Sequence, residues 1–431
     1  MSLLLRWLRA VPLRLGALRL YLRSFTGFSR PVKRFLLGMF VLGLSGSVNW
    51  LVLNFYLKAL GLDDGFIGLV NSLPAVALLM VGYPVGRWGD RMPRHVAIRA
   101  GAVLLVASGF GLALAPTPWL IAVCVAIAGV GGLLLQANAP PYMAENSQEG
   151  DRTHLFSAQA ALSTGTGFLG SLLGGWMPSL LAGLGGGKPE DVGPLRGTLF
   201  VGALIGALSL IAFLGVKQGA QARSAGAGEG GLDPVTRALF LKLLLPHAAI
   251  ALGAGMIMPF LNLYVHGKWG VGYDVIGVIF GVSSLLTAGF MLIQPWMAER
   301  VGKVRAVVFG QAASVPFLLL LGYSPWLAPA AVALFLRGAL MNMAQPLYTA
   351  FSMEVVPETR RAYFMSLDVM VWSAAWAAGS NLSGQLRQAV GPEAGFQVLF
   401  ATMAALYSVG IVLFAMWFHP AWRGGRAKAA G

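Results

Sequence analysis

Long apolar stretches separated by short polar breaks recur along the chain from residue 35 to residue 418. A helix needs about 20 apolar residues to cross the ~30 Å hydrocarbon core of a bilayer, and the stretches reach that length. The pattern therefore predicts twelve membrane-spanning helices, at residues 35–58, 66–86, 96–115, 119–143, 155–182, 197–216, 238–265, 274–297, 304–323, 326–351, 362–388 and 395–418. Glycines within these stretches are interpreted as packing positions, because small residues let membrane helices approach closely.

Polar and basic segments flank and divide the apolar stretches. Residues 217–237 are small, polar and glycine-rich, as in flexible linkers, and they separate a first unit at 35–216 from a second at 238–418. Residues 1–34 place arginines among leucines, which suits an amphipathic helix lying on anionic lipid headgroups; a partly disordered basic tail is the alternative. Residues 419–431 form a basic C-terminal tail.

The sparse charged residues of the two units recur in a common register. Glu299 lies 209 positions after Asp90, and Glu354 lies 209 positions after Glu145. The same shift relates Arg91 to Arg300, Arg94 to Lys303, Arg152 to Arg361 and Gly68 to Gly277, while Asn54 and Asn262 agree after a gap of one. Charged residues make up only 11% of the chain, so their recurrence indicates a duplicated six-helix unit.

Composition places the chain among membrane proteins and predicts its orientation. Hydrophobic residues make up 57% and charged residues 11% of the chain, whereas soluble domains carry about 25% charged residues. The net charge of +15 does not indicate nucleic-acid binding, because the basic residues lie in loops. Most fall on the side of both termini, and the opposite side holds only Lys58, Lys188, Arg196, Lys268 and Arg387. The positive-inside rule therefore predicts cytoplasmic termini in a multi-pass protein of the cell membrane, with a bacterial inner membrane expected.

The loop at residues 86–95, GRWGDRMPRH, carries a recognisable motif. It resembles the G-x-L-A-D-R-x-G-R-R signature of the major facilitator superfamily, with Pro93 and His95 replacing a glycine and a basic residue; an ordinary basic loop is the alternative. With the twelve spans, the duplication and the linker, the resemblance implies an all-α membrane protein of two pseudo-symmetric six-helix bundles that rock around a central cavity. It also implies charged latches at the cytoplasmic face that hold the outward-open state. The candidate latch residues are Gly86, Asp90, Arg91, Arg94, Glu145, Arg152, Glu299, Arg300, Glu354 and Arg361.

A second resemblance lies in the fifth span, at residues 170–175, GSLLGG. These residues resemble the drug:proton antiporter motif G-P-x-x-G-G of the same superfamily, with serine in place of proline. The fourth-span arginine of many antiporters is replaced by Ala128, whereas Arg337 stands 209 positions later. Either coupling has moved to the second half or this branch works differently.

Two ionisable residues lie inside the predicted spans. Burying a charge there is energetically costly, so such residues usually have a function. Arg337 lies in the tenth span and Asp368 in the eleventh, and counting at ~1.5 Å per residue places them near the same depth. One interpretation is a proton-coupling site in which Arg337 favours the charged form of Asp368; the other is a structural ion pair. His247, near the start of the seventh span, is a third proton-site candidate or a hydrogen-bonded helix-end residue.

A substrate cavity is expected where polar and aromatic side chains face the space between the bundles. Trp372 and Trp376 follow Asp368 at helical spacing and would share its face, which suits an amphipathic or cationic solute; lipid-interface anchors are the alternative. The candidate cavity residues are Asn49, Asn54, Tyr56, Gln136, Asn138, Asn262, Asn342, Gln345, Trp372 and Trp376.

The sequence shows no G-x-x-x-x-G-K-S/T phosphate loop and no His or Cys cluster with metal-ligand spacing, so an enzyme, a cofactor and a metal are not expected. The first hypothesis is proton-coupled export of a hydrophobic or amphipathic organic compound by a monomer. The second is transport of an anionic solute or lipid headgroup bound by Arg337, and a remote third is a non-transporting membrane receptor. The expected partners are a small-molecule substrate, protons and anionic lipid headgroups, without nucleic acid.

Overall fold

The structure is a computed structural model that describes residues 28–89, 92–147, 149–216 and 233–418. Within these ranges only the backbone is described for 83–89, 149–153, 292 and 295–296. The expectations for the N-terminal amphipathic segment up to residue 27, for linker residues 217–232 and for the tail 419–431 lie outside the described residues.

The described chain is helical from Arg30 to Phe418, with short connections. Its helices are α1 Arg30–Ala59, α2 Asp64–Gly89, α3 Arg94–Leu114, α4 Pro118–Glu145, α5 Glu149–Gly185, α6 Val192–Leu214, α7 Pro234–Ile257, α8 Leu261–Trp269, α9 Tyr273–Val301, α10 Lys303–Tyr323, α11 Leu327–Val355, α12 Arg361–Val390 and α13 Pro392–Phe418. Two 3-10 turns, Met258–Phe260 and Glu358–Arg360, precede α8 and α12.

The seventh predicted span, 238–265, is interrupted rather than continuous. α7 ends at Ile257, and the turn Met258–Phe260 leads directly into α8. Pro259 within this turn has no N–H to donate, and a proline ring clashes with the carbonyl four residues earlier, so a regular helix does not continue. With α7 and α8 taken as one span, the described chain has the twelve predicted spans, and the predicted all-α fold is confirmed.

α12 differs from the other spans in polarity. Among the described residues, eleven helical segments are long and apolar enough to cross a membrane, and α12 is not one of them. It is 30 residues long, but Asp368, Ser380, Ser383 and Arg387 are buried along it. Because α12 packs against α2, α7 and α13, these polar groups face other helices instead of lipid.

The two halves are packed alike and meet symmetrically. In the first half α1 packs against α5 and α6, and α3 against α4 and α6; in the second half α7 packs against α12 and α13, and α10 against α11 and α13. Between the halves, α2 packs against α12 and α5 against α9. Since α2 corresponds to α9 and α5 to α12, these are the same contact with the halves exchanged, as a pseudo-two-fold axis requires.

Paired glycines bring the halves together at one face of the protein. The face where α1 begins and α13 ends is called the terminal face, and the opposite one the distal face. Near the distal face, a Cβ added to Gly68 would lie 2.9 Å from the Cα of Gly384, and one added to Gly175 would lie 2.9 Å from the Cα of Gly277. Gly277 and Gly384 lie 209 positions after Gly68 and Gly175, so this close approach also occurs twice.

Candidate functional site

His247 of α7 and Asp368 of α12 form a buried ionisable pair in the second half. The Nδ1 of His247 lies 2.7 Å from Oδ1 of Asp368, and the two residues are only 5% and 7% exposed. The hydroxyl of Tyr348 on α11 donates to the same carboxylate oxygen at 3.3 Å. Three helices therefore converge on one carboxylate.

Aromatic and amide groups complete the surroundings of His247. Its ring centroid lies 4.5 Å from that of Tyr348 and 4.6 Å from that of Trp372, and Trp376 stacks on Trp372 at 6.3 Å. Nε2 of Gln345 lies 3.4 Å from the second imidazole nitrogen. Gln345, Trp372 and Trp376, expected to face the substrate, thus lie around the pair.

Arg337 of α11 is also buried, 5% exposed, but it contacts neutral groups. Its Nη2 donates to the hydroxyl of Tyr407 on α13 at 2.7 Å, and Nη1 lies 2.7 Å from the sulfur of Met258. Met258 opens the 3-10 turn that interrupts the seventh span. Arg337 is therefore held at this interruption.

Arg337 and Asp368 do not pair, although their depths had suggested that they could. Tyr348, which reaches Asp368, lies eleven residues after Arg337 on α11, which is about 16 Å along a helix axis at 1.5 Å per residue. Asp368 is therefore level with Tyr348 and far from Arg337. Its ionic partner is His247.

A cavity of about 620 Å³ lies between the halves, on the terminal side of the glycine contacts. α1, α5, α9 and α11 line it, together with Met258 and Leu261. Of the ten predicted cavity residues, Asn342 lines it, and Arg337, predicted as a coupling residue, does so too. Such a volume falls within the range of small-molecule sites, roughly 300–1,000 Å³.

Three other predicted cavity residues of the first half, Asn49, Tyr56 and Asn138, lie inside that half. A Cβ added to Gly202 of α6 would lie 3.4 Å from Oδ1 of Asn49, so Asn49 faces α6. Tyr56 is buried and accepts a hydrogen bond from Nε of Arg196 at 3.2 Å. Gln136 is exposed, and the buried Asn138 donates to the carbonyl of Leu134 in its own helix at 2.8 Å. The cavity prediction is corrected for Asn49, Tyr56 and Asn138, because apolar membrane helices do not reveal from sequence which face turns inward; for the exposed Gln136 it stays a prediction.

Asn54 and Asn262 were also expected in the cavity, but they lie in the contact that closes it toward the distal face. Nδ2 of Asn54 lies 3.1 Å from Oδ1 of Asn262 and also donates to the carbonyl of Pro259. Nδ2 of Asn262 donates to the carbonyl of Leu51 at 2.7 Å. Both asparagines are 2% exposed.

An ion pair joins the halves at the same level of the molecule. Nη1 of Arg387 on α12 lies 3.0 Å from Oδ1 of Asp64 on α2, with 1% and 5% of the side chains exposed. Beyond this contact, toward the distal face, lies a second cavity of about 540 Å³ lined by Lys58, Glu190 and Glu393 among others. The contact between the halves thus separates the central cavity on its terminal side from the second cavity on its distal side.

The expected latch residues form pairs within each half. Nε of Arg94 lies 2.6 Å from Glu145, joining the start of α3 to the end of α4. Lys303 and Glu354 make the equivalent ion pair between α10 and α11. These pairs fall on the 209-position shift, as the duplication predicts.

Other latch expectations differ or cannot be placed. Arg361 pairs with Glu358 at 3.2 Å, because the turn Glu358–Arg360 brings residues three apart together. Glu299 and Arg300 are exposed at the end of α9. Asp90 and Arg91 lie outside the described residues, and Gly86 and Arg152 fall where only the backbone is described.

Sequence reasoning missed several residues of these sites. Tyr348 and Tyr407 are neutral and look like ordinary core tyrosines, and Met258 carries no polar signal. Pro259 was not a sufficient signal, since Pro178, Pro246 and Pro316 also lie inside predicted spans and their helices continue. The sequence places Arg387 only on the side opposite the termini, and Asp64 lies between the first two predicted spans without a motif.

Two related six-helix halves around a central cavity define a multi-pass membrane protein of the secondary-transporter type. The sequence model of the Major Facilitator Superfamily matches residues 35–247 and 243–429. The chain belongs to this superfamily and is a transporter, not an enzyme.

Relatives at low identity include two drug-resistance proteins. The chain is 25% identical over 183 residues to the multidrug resistance protein MdtH of Salmonella typhi, covering 42% of this chain and 44% of that protein. It is 25% identical over 292 residues to the multi-drug resistance efflux pump PmrA homolog of Lactococcus lactis subsp. lactis (strain IL1403), covering 64% and 67%. The match to the first relative thus spans less than half of its length.

Solved structures share the fold. A bacterial homolog of the human lysosomal transporter Spinster, inward-facing and unoccupied, has a TM-score of 0.70 at 16% identity, covering 91% of this chain and 96% of that chain. The nucleoside transporter NupG has a TM-score of 0.68 at 16% identity, covering 90% and 99%. These similarities show the fold alone.

Proposed function

We propose that the protein is a proton-coupled secondary transporter that exports hydrophobic or amphipathic organic compounds. A proton binds and leaves at the His247–Asp368 pair while the compound passes through the central cavity by alternating access. The protein acts as a monomer in the bacterial inner membrane, with both termini in the cytoplasm and its basic N-terminal segment on anionic headgroups.

The burial of His247 against Asp368, at 2.7 Å, is the observation that carries this proposal. A charge within a membrane span is energetically costly, so an ionisable residue retained there is by default a functional candidate. Gain or loss of one proton changes the net charge of the pair by one, and with it the contacts that join α7, α11 and α12. A change of that kind can bias a two-state equilibrium between conformations.

The direction of transport rests on two supports. In the proposed orientation the terminal face is cytoplasmic. The central cavity then lies on the cytoplasmic side of the contact that Asn54 and Asn262 make between the halves. Two relatives at 25% identity are a multidrug resistance protein and a multi-drug efflux pump. Both observations favour loading from the cytoplasm.

The test compares two modes of transport in proteoliposomes containing Asp368→Asn. The substrate is a fluorescent compound that the wild-type protein transports, selected from a panel of organic anions, cations and neutral molecules. We expect gradient-driven accumulation to fall at least about 10-fold, in the range of lost proton-transfer groups. Exchange of the same compound at equal pH should persist, because exchange needs no net proton movement.

Asp274→Asn serves as the control, because it makes the same change at an exposed carboxylate in the first turn of α9. It should leave both modes of transport unchanged. Gradient-driven accumulation by Asp368→Asn at the wild-type level would rule out this proton site. Wild-type transport that ignores an imposed pH gradient would rule out proton coupling altogether.

A further inference from the structure

Arg337 is the charged residue among the described side chains that line the central cavity. Every other lining residue is polar and uncharged or apolar. A positive charge in a low-dielectric site needs compensation by hydrogen bonds or by an anion. The cavity therefore presents one cation and, in its described lining, no acid to balance it.

The contacts of Arg337 leave that charge unbalanced. A guanidinium has five N–H donors, and the contacts that the structure describes for this one, to the Tyr407 hydroxyl and the Met258 sulfur, are both with neutral groups. Its Nε has no hydrogen-bond partner in the part of the chain that the structure describes. Arg387, also buried in the same half, has the carboxylate of Asp64 at 3.0 Å, although its Nε and Nη2 likewise have no hydrogen-bond partner among the described residues. The protein has thus supplied a counter-charge to one buried arginine and not to the other.

Hydroxyl groups stand beside Arg337 on the facing helix α9. The Cβ position of Gly338, the next residue, lies 3.4 Å from Oγ of Ser283 and 4.0 Å from Oγ1 of Thr287. Both hydroxyls line the cavity with Asn342, one turn further along α11. An oxyanion is best bound by a guanidinium together with neutral donors of this kind.

Apolar side chains also line the cavity, among small polar residues. Trp50 from the first half and Phe280 from the second meet edge to face at 5.4 Å, and both line the cavity with Leu261 and Leu334. A molecule with its anionic group on Arg337 would place an apolar body against Trp50. It would then contact both halves at once.

From these contacts we infer that the transported solute is an amphipathic organic anion, a carboxylate, sulfonate or phosphate ester whose charged group binds Arg337. The inference rests on the proposed function and specifies the substrate of the same cavity. The shared chemistry covers soluble anions and anionic lipid headgroups, which the experiment separates.

The experiment measures thermal stabilisation of the full chain in nanodiscs of uncharged lipid, because a ligand that binds the native state raises its melting temperature. The probes are matched sets of aromatic and alkyl carboxylates and sulfonates, the corresponding amides, and the corresponding amines. We expect the anions to stabilise the wild-type protein. Arg337→Gln should weaken their binding by about 10- to 100-fold, the loss typical of a charge-assisted hydrogen bond.

Two further variants guard against a trivial loss of folding. Arg337→Lys keeps the charge without the bidentate geometry and should retain part of the affinity. Arg237→Gln removes a charge at an exposed position near the start of α7 and should retain all of it. A second series, in nanodiscs containing phosphatidylglycerol, shows whether anionic lipid competes with the soluble anions and so occupies the same site.

The inference is overturned if only amines or amides stabilise the wild-type protein, if no anion does, or if Arg337→Gln binds anions as tightly as wild type. Asp368→Asn is measured in parallel to separate this result from the proposed proton coupling. Anion binding that depends on Arg337 without gradient-driven transport would remove the coupling and keep the substrate class. Gradient-driven transport that ignores Arg337 would do the reverse.

Discussion

Asn54 and Asn262 are counterparts in the two halves of the chain, and their side chains hydrogen-bond to each other at 3.1 Å. The amide of Asn54 donates to the carbonyl of Pro259, and the amide of Asn262 donates to the carbonyl of Leu51. Pro259 follows Leu51 by the same 208 positions that separate the two asparagines. The three hydrogen bonds therefore lie around the pseudo-two-fold axis, where neither half can move without breaking them.

Asn54→Ala or Asn262→Ala should shift the protein toward a conformation open at the distal face. A buried partner left without its hydrogen bond costs about 1–3 kcal/mol, which changes a ratio of two conformations by about 5- to 150-fold. Leu184 and Trp326 are exposed and lie near the distal face of different halves. Double electron-electron resonance between spin labels at these two positions should show a population with longer distances.

Asn138→Ala is the matched control for that experiment, because this buried asparagine bonds only within its own helix among the described contacts. It should leave the distances unchanged. Identical distance distributions in wild type and both asparagine variants would show that these bonds do not hold the distal face closed.

The glycine contacts predict a second effect on the same closure. Gly277→Ala places a Cβ 2.5 Å from the carbonyl oxygen of Ser171, so α5 and α9 must separate. Gly183→Ala lies on α5 with open space around it and should stabilise the helix by up to ~1 kcal/mol. Hydrogen exchange should therefore quicken at the distal ends of α5 and α9 only in Gly277→Ala; equal exchange in both variants would count against a tight contact.

The duplication could be predicted from sequence because its markers are rare. Arg94 with Glu145 and Lys303 with Glu354 form equivalent ion pairs, and charged residues are too sparse in this chain for such a register to arise by chance. Gly68 and Gly277 follow the same shift. At these positions the 209-residue shift in the sequence corresponds to equivalent contacts in the structure.

The partners within the site could not be predicted, for two physical reasons. Helix tilt decides which residues of neighbouring spans lie at the same depth in the membrane, and packing rather than span length sets that tilt. The sequence therefore did not show that Asp368 pairs with His247 and not with Arg337. The lipid-facing and protein-facing sides of a membrane helix are both apolar, so the sequence did not show that Asn49 faces its own half and Asn54 the other.

Asp64 has two cationic partners of different burial, and they should contribute differently to stability. Lys58 lies 2.9 Å away with 40% of its side chain exposed, whereas Arg387 lies 3.0 Å away with 1% exposed. Lys58→Gln should cost at most about 1 kcal/mol, as for exposed pairs. Asp64→Asn leaves Arg387 buried without its counter-charge, which costs about 3–5 kcal/mol. Melting temperatures in nanodiscs check this; equal decreases in the two variants would contradict it.

The His247–Asp368 pair predicts that two substitutions harm stability less than one. His247→Leu leaves a buried carboxylate without its ionic partner, which typically costs about 3–5 kcal/mol. Adding Asp368→Val removes that charge, and replacing both members of a buried pair by apolar residues is often neutral or stabilising. The double variant should therefore melt at a higher temperature than His247→Leu alone, while both lose gradient-driven transport. A double variant that melts below the single one would mean that the carboxyl is not held as a charged partner of His247. Tyr348→Phe, which removes only the hydroxyl that donates to Asp368, should by comparison cost about 1 kcal/mol of stability.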